Sequence, residues 1–168
     1  MTEKGNTQYL AANDHGINDR PISDFELARA ALADGHTIAL CREGELTVSD
    51  GRGISPMMGW IAEGRDMRGA AVADMIVGKA AAMLFIRSGI TLIYAKTISL
   101  AGLLTLRRHG IEPAYQTLAE NIRNRAGTDI CPMEKAVLDI DDLDLGYEAL
   151  LATLRSLRQG DKETTQAE

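Results

Sequence analysis

Thiols are nearly missing from this sequence. Only Cys41 and Cys131 are present among 168 residues, far apart along the chain. That spacing excludes a CxxC pair and a disulfide framework, argues against a cysteine-based zinc site, and leaves both as free thiols. Aromatic residues are scarce at 4%, no basic block occurs, and the formal net charge is −6. The clustered cations that neutralise a phosphate backbone are lacking, which argues against nucleic acid as a partner. Long apolar runs are lacking too: the longest, Gly69 to Ile86, is broken by Asp74 and Lys79, and the opening Met-Thr-Glu-Lys has no signal-peptide core. The expectation is a cytoplasmic protein with no membrane partner. Histidine is limited to His15, His36 and His109, none beside a cysteine in sequence, which argues against a protease-like Cys-His dyad.

What is there is an ordinary globular mixture, 45% hydrophobic and 25% charged, at a length that supports one core. Residues 1–21 carry Gly, Asn, Asp and Pro without apolar periodicity and residues 159–168 are largely polar; both read as disordered tails around a single domain, 22–158. Ser23 and Glu26 form a capping-box pattern for a first helix carrying Leu27, Ala28, Ala31 and Leu32, which Gly35 ends. Residues 37–41 and 45–49 bracket Arg42-Glu43-Gly44 as a β-hairpin, and Ser55-Pro56 opens a short helix over 57–63. The stretch 69–88, rich in Ala and Met and apolar on almost every face, reads as a central helix. A strand over 90–95, a helix over 99–109, a strand over 111–117 and helices over 132–138 and 141–157 complete the order. Helix-linked strands after an opening hairpin predict an α/β fold with a largely parallel sheet, an antiparallel edge and helices on both faces.

Within the helix assigned to 69–88, Asp74 and Lys79 lie five positions apart, about 140° around the axis, so they do not pair with each other. Each is an ionisable group on an apolar element, which either finds a backbone group or the surface, or meets a ligand. Gly78-Lys79 is not a phosphate loop, because Ala73 and Ala80 stand where that motif needs a glycine and a hydroxyl. A second corner spans 121–135. Pro132 at the first helical position places Cys131 at the cap, where free N–H groups and the helix dipole favour a thiolate; Asp129 or Thr128 is the alternative cap. Arg123 and Arg125 add positive charge there, and Glu134 is placed to reach back to the cap backbone. Cys131 is then either a small buried residue or a reactive thiol. Arg52, between two glycines, is either an anion contact or a solvated loop residue. Cys41 reads as core, and strand alternation puts it on the face opposite His36, so the two form no metal pair.

Read together, Gly69-Ala-Ala-Val-Ala-Asp-Met-Ile-Val-Gly-Lys-Ala-Ala-Ala82 and Gly127-Thr-Asp-Ile-Cys-Pro-Met-Glu-Lys-Ala-Val137 resemble the prokaryotic domain-of-unknown-function family eighteen ninety-three (DUF1893), over about residues 25–154. The resemblance implies a cytidine-deaminase-like fold: a three-layer α/β/α sandwich on a mixed sheet whose first two strands form an antiparallel N-terminal hairpin. It implies no activity. Zinc deaminases carry His-Ala-Glu at the helix after the hairpin and Pro-Cys-x-x-Cys at the next. The helices assigned to those places here offer Val72-Ala-Asp74 and Ile98-Ser-Leu-Ala-Gly102, with no zinc ligand set. No metal and no cofactor is therefore expected.

Three functions stay open at this stage. One is a small-molecule enzyme with Cys131 as nucleophile or thiol carrier, Lys79 as charge stabiliser or amine base, and Asp74 as the third catalytic candidate. Arg123, Asn124, Arg125, Thr128, Glu134 and Arg52 would hold the ligand, which is nucleotide-like only by analogy of fold. Another is a non-catalytic ligand-binding or regulatory module that acts through a partner or as a homodimer, and the third is a purely structural subunit.

Overall fold

The computed structural model describes residues 22–165; the expected N-terminal tail, with His15, lies outside the described residues. The first helix, α1 (Asp24–Ala33), starts where the capping box predicts. The Glu26 N–H donates to Ser23 Oγ at 3.2 Å and the Ser23 N–H donates to Glu26 Oε2 at 2.9 Å. Next come β1 (Ile38–Arg42) and β2 (Glu45–Ser49), joined by Glu43 and Gly44, both at positive φ. That is the turn geometry which matches strand twist. Asp24 locks the turn, its carboxylate accepting from the Glu43 and Gly44 N–H groups at 2.8 Å each.

After α2 (Ser55–Ala62) the chain runs β3 (Ala71–Val77), α3 (Lys79–Arg87), β4 (Leu92–Ser99), α4 (Leu100–Arg108), β5 (Ala114–Ala119), α5 (Pro132–Val137) and α6 (Leu143–Thr165). The five strands lie in the order β2-β1-β3-β4-β5, with β1 antiparallel to both neighbours and β3, β4 and β5 mutually parallel. α1 packs on one side over Ala39, Cys41 and Ala73. The main core lies on the other side, where Ile38, Leu40, Val72 and Ile93 of the sheet meet Phe85, Met83 and Leu84 of α3, Leu106 of α4, Val137 of α5 and Leu150 of α6. This is the mixed-sheet sandwich with an opening hairpin that the sequence predicts.

The main departure lies between residues 69 and 88. The single helix expected there is a strand followed by a helix, β3 and α3, so the sheet has five strands where the sequence reading counts four. Burial on all sides explains the misreading, since a central strand covered on both faces is as uniformly apolar as a buried helix. The break falls at Gly78, whose extended backbone (φ −97, ψ −171) makes it the N-cap of α3. Asp74 is consequently a strand residue and Lys79 the first residue of a helix, so their expected separation around one helix axis does not apply. The deaminase correspondence shifts too: the helix after the hairpin is α2, opening Ser55-Pro56, and the next is α3, opening at Lys79. Ser55, expected to cap, begins α2 instead, with Ile54 at the N-cap and no side-chain capping bond. At the other end, α6 continues through residues 159–165, which the sequence reading assigns to a tail.

One close approach fixes how α4 meets the β3–α3 junction. A Cβ on Gly102 would sit 2.9 Å from the backbone oxygen of Val77 and 2.9 Å from the carbonyl carbon of Gly78. Neither atom can yield without moving the sheet. Gly102→Ala is expected to lower stability by about 1–3 kcal/mol through overpacking, read from the midpoint of urea unfolding. Gly59→Ala, where an added Cβ meets nothing within 4 Å, serves as the control and should leave the midpoint unchanged or slightly raised.

Candidate functional site

The N-terminus of α3 organises the region. Gly78 has no side chain to cap the helix, so the first N–H groups need acceptors from elsewhere. Glu134 of α5 supplies both: Lys79 N–H donates to Oε2 at 2.7 Å and Ala80 N–H to Oε1 at 2.9 Å. The carboxylate lies where a Cβ on residue 78 would be, so only glycine fits there. Burial pushes the Glu134 carboxyl above its ordinary range, while the two amide donors and the Lys79 charge pull the other way. The expectation that Glu134 reaches back to its own helix cap is thereby corrected: the orphan donors of α3, buried and more distant in sequence, are where its acceptor oxygens go.

Lys79 grips the other end of α5. Its side chain is 9% exposed, and Nζ donates to the Leu138 carbonyl at 3.0 Å and to Asp141 Oδ1 at 3.1 Å. A cation at a helix C-terminus satisfies a free carbonyl and complements the dipole. Arg108 of α4 donates to the same Asp141 oxygen at 3.4 Å. Asp141 is held below the usual carboxylate range, chiefly by the Lys79 hydrogen bond. These groups border a cleft of about 400 Å³ between α4 and the α5–α6 link, floored by Ala101, Leu104, Thr105 and Leu138 and flanked by Asp139.

Of the residues singled out from the sequence, Lys79 alone lines this cleft. Asp74 lies mid-sheet in β3, opposite Ile38 of β1 and Ala95 of β4. Its Oδ1 accepts the Ile76 N–H at 3.1 Å, and desolvation raises its carboxyl to about 7 against the opposing effect of the Ile76 and Met75 N–H groups. Cys131 is the N-cap of α5, as Pro132 suggested, half-buried and without a side-chain capping bond. Cys41 is fully buried, its thiol pushed up to about 11 by desolvation first and then by the Asp24 carboxylate. Arg123 and Asn124 close a loop on itself. Arg123 bridges Ile130 and donates to the Gly127 carbonyl at 3.4 Å. The Asn124 side chain accepts from Thr128 N–H at 3.0 Å and donates to Thr128 Oγ1 at 3.2 Å. Arg125 and Arg52 are exposed, and their side chains make no hydrogen bond or ion pair among the described residues. The sequence reading misses Thr105, Arg108, Asp139 and Asp141. Thr105 carries no signal, and the only signal of the other three is charge, an Arg-Arg at the end of one helix and an acidic run before the next, with nothing in the spacing to show that the two meet.

Among the described residues, no three His, Cys, Asp or Glu side chains are grouped to hold a metal, and no helix is long and apolar enough to cross a membrane. The fold is an α/β/α sandwich on a mixed five-stranded sheet. The chain belongs to the family described as TM1506, domain of unknown function (DUF1893), which it matches over residues 27–153. It is similar to the crystal structure of a DUF1893 family protein (TM1506) from Thermotoga maritima, with 26% identity and a TM-score of 0.66 over 76% of this chain and 88% of that one. A lesser likeness, 19% identity and a TM-score of 0.37 over 47% of this chain and 28% of that one, is to a diaminohydroxyphosphoribosylaminopyrimidine deaminase/5-amino-6-(5-phosphoribosylamino)uracil reductase from Thermotoga maritima. No curated protein matches the chain.

Two measurements test this geometry. Glu134→Ala strands two buried N–H donors and should cost about 2–4 kcal/mol of folding stability, read by urea unfolding. Asp74 keeps its proton in the fold to about pH 7, whereas the unfolded chain releases it near pH 4. Its stabilising contribution is therefore complete below about pH 4 and falls by about 1.4 kcal/mol per pH unit until about pH 7. Asp74→Asn removes that slope. The stability of the natural chain minus that of Asp74→Asn should decline across this window, and a flat difference would show that the carboxyl is not desolvated.

Proposed function

We propose that this chain binds a small polar molecule in the cleft between α4 and the α5–α6 link, with Lys79 and Arg108 as its charged anchors. The Lys79 ammonium carries the reading. Its stem is buried, yet its head ends on a 76% exposed carboxylate that it shares with Arg108. An ammonium has three N–H donors and a guanidinium five. Lys79 uses two of these within the protein, and Arg108 uses one. The volume lies within the range typical of metabolite pockets, roughly 300–1,000 Å³. The lining has no aromatic side chain on which a base would stack, so the support is for a small polar ligand rather than a nucleotide.

The favoured form is the non-catalytic binding module. Thiol catalysis at Cys131 is a second reading, favoured by one observation: this half-buried free thiol opens α5, the helix whose far end, Leu138, lines the cleft.

Native mass spectrometry of the full chain after incubation with a small-metabolite extract tests both. A mass retained by the natural chain and by Cys131→Ser but lost from Arg108→Ala is the expected result. Loss on Cys131→Ser as well would move the assignment to thiol chemistry, and retention by Arg108→Ala would overturn the cleft. The homodimer expectation is read in the same spectra as a doubled mass.

A further inference from the structure

We infer that the ligand of this cleft is a zwitterion of the α-amino acid class, with an apolar side chain; the inference rests on the binding reading above and adds the chemistry of what binds. The lining carries two cations, Lys79 and Arg108, and two carboxylates, Asp139 and Asp141. Both cations use the same oxygen, Asp141 Oδ1. Asp141 Oδ2 accepts no side-chain donor among the described residues, and neither does either Asp139 oxygen, while the third Lys79 proton and most of the Arg108 fork are also unused.

Unused donors and unused acceptors thus border one space. A ligand bearing only a carboxylate or phosphate would face two like-charged carboxylates, and one bearing only an amine would face an ammonium and a guanidinium. A molecule with both groups offers its carboxylate to Arg108 and Lys79, a match the planar fork favours, and its ammonium to Asp139 and Asp141. Ala101, Leu104 and Leu138 provide the apolar contact for a side chain. Leu104 is 43% exposed and Leu138 51% exposed, which is open surface that such a side chain would cover.

The test holds the side chain constant and varies the charge. Titration calorimetry on the full chain uses L-leucine, 4-methylpentanoate, which lacks the amine, and 3-methylbutylamine, which lacks the carboxylate; the remaining proteinogenic amino acids are screened by saturation-transfer NMR. The expected result is binding of at least one apolar amino acid, at least tenfold weaker binding of its deaminated and decarboxylated analogues, and at least a fivefold loss in both Arg108→Ala and Asp139→Asn. Both substituted side chains are exposed, so an unchanged melting temperature confirms that the variants fold.

An analogue with one charge that binds as tightly as its parent amino acid overturns the zwitterion. An Arg108-dependent mass retained from the metabolite extract, but lacking either charge, overturns it too while leaving the cleft reading in place. If no amino acid binds and no mass is retained, both fall.

Discussion

The carboxylate of Glu134, seated on the first turn of α3, is the contact on which the outer half of the molecule depends. α5 is a helix of six residues, too short to hold itself together in water. It is fixed instead from α3: Glu134 receives two main-chain donors near its start, and the Lys79 ammonium holds the Leu138 carbonyl at its end. One residue, Lys79, thus contributes its backbone to one attachment and its side chain to the other. Gly78 is constrained from two directions, since the Glu134 carboxylate takes the place of its Cβ and Gly102 of α4 closes on its carbonyl side. The cleft lies beside this arrangement, where Asp141 of the α5–α6 link accepts from both Lys79 and Arg108 of α4.

The buried acids show how the same side chain serves different ends. Glu134 is buried with two amide donors and a lysine nearby, which is capping chemistry performed across a long stretch of sequence. Asp74 has only the amides of its own neighbours and no cation, so burial dominates and its carboxyl moves to about 7. Asp141 is exposed and paired, and lies below the ordinary range. The cleft accordingly lies where charge is partly solvated, not where it is most perturbed.

Much of the fold is legible in the sequence. The Ser23–Glu26 capping box, the hairpin turn and Pro132 each act through near neighbours, and each appears in the structure where local chemistry puts it, the turn shortened from Arg42-Glu43-Gly44 to Glu43-Gly44 because Arg42 pairs with Glu45 as the end of β1. The β3–α3 boundary is hidden because Ala71 to Phe85, Asp74 and Lys79 apart, is apolar whether it forms strand or helix, and only the extended backbone at Gly78 divides it. That single ambiguity misplaced Asp74 and Lys79 together. The cleft was illegible for a different reason. Arg108, Asp139 and Asp141 meet Lys79 only through tertiary packing, and their charges look like ordinary solvated surface in the sequence. The loop 123–130 was legible as polar and cationic, yet its Asn124 and Arg123 bonds are spent on its own backbone.

The reach of the Glu134 contact also bears on how the chain assembles. The carboxylate and the Lys79 amide are separated by 55 positions, whereas the Asp24 carboxylate finds the hairpin turn after about twenty. Closing the longer loop has the greater entropic cost and yields its bonds only once α3 already exists to present free amides. All five strands and α3 precede α5 in the chain, so on a ribosome the partners of α5 are synthesised before it. Leu138, Asp139 and Asp141 are accordingly the last residues of the cleft lining to be synthesised, after every element they pack against except α6.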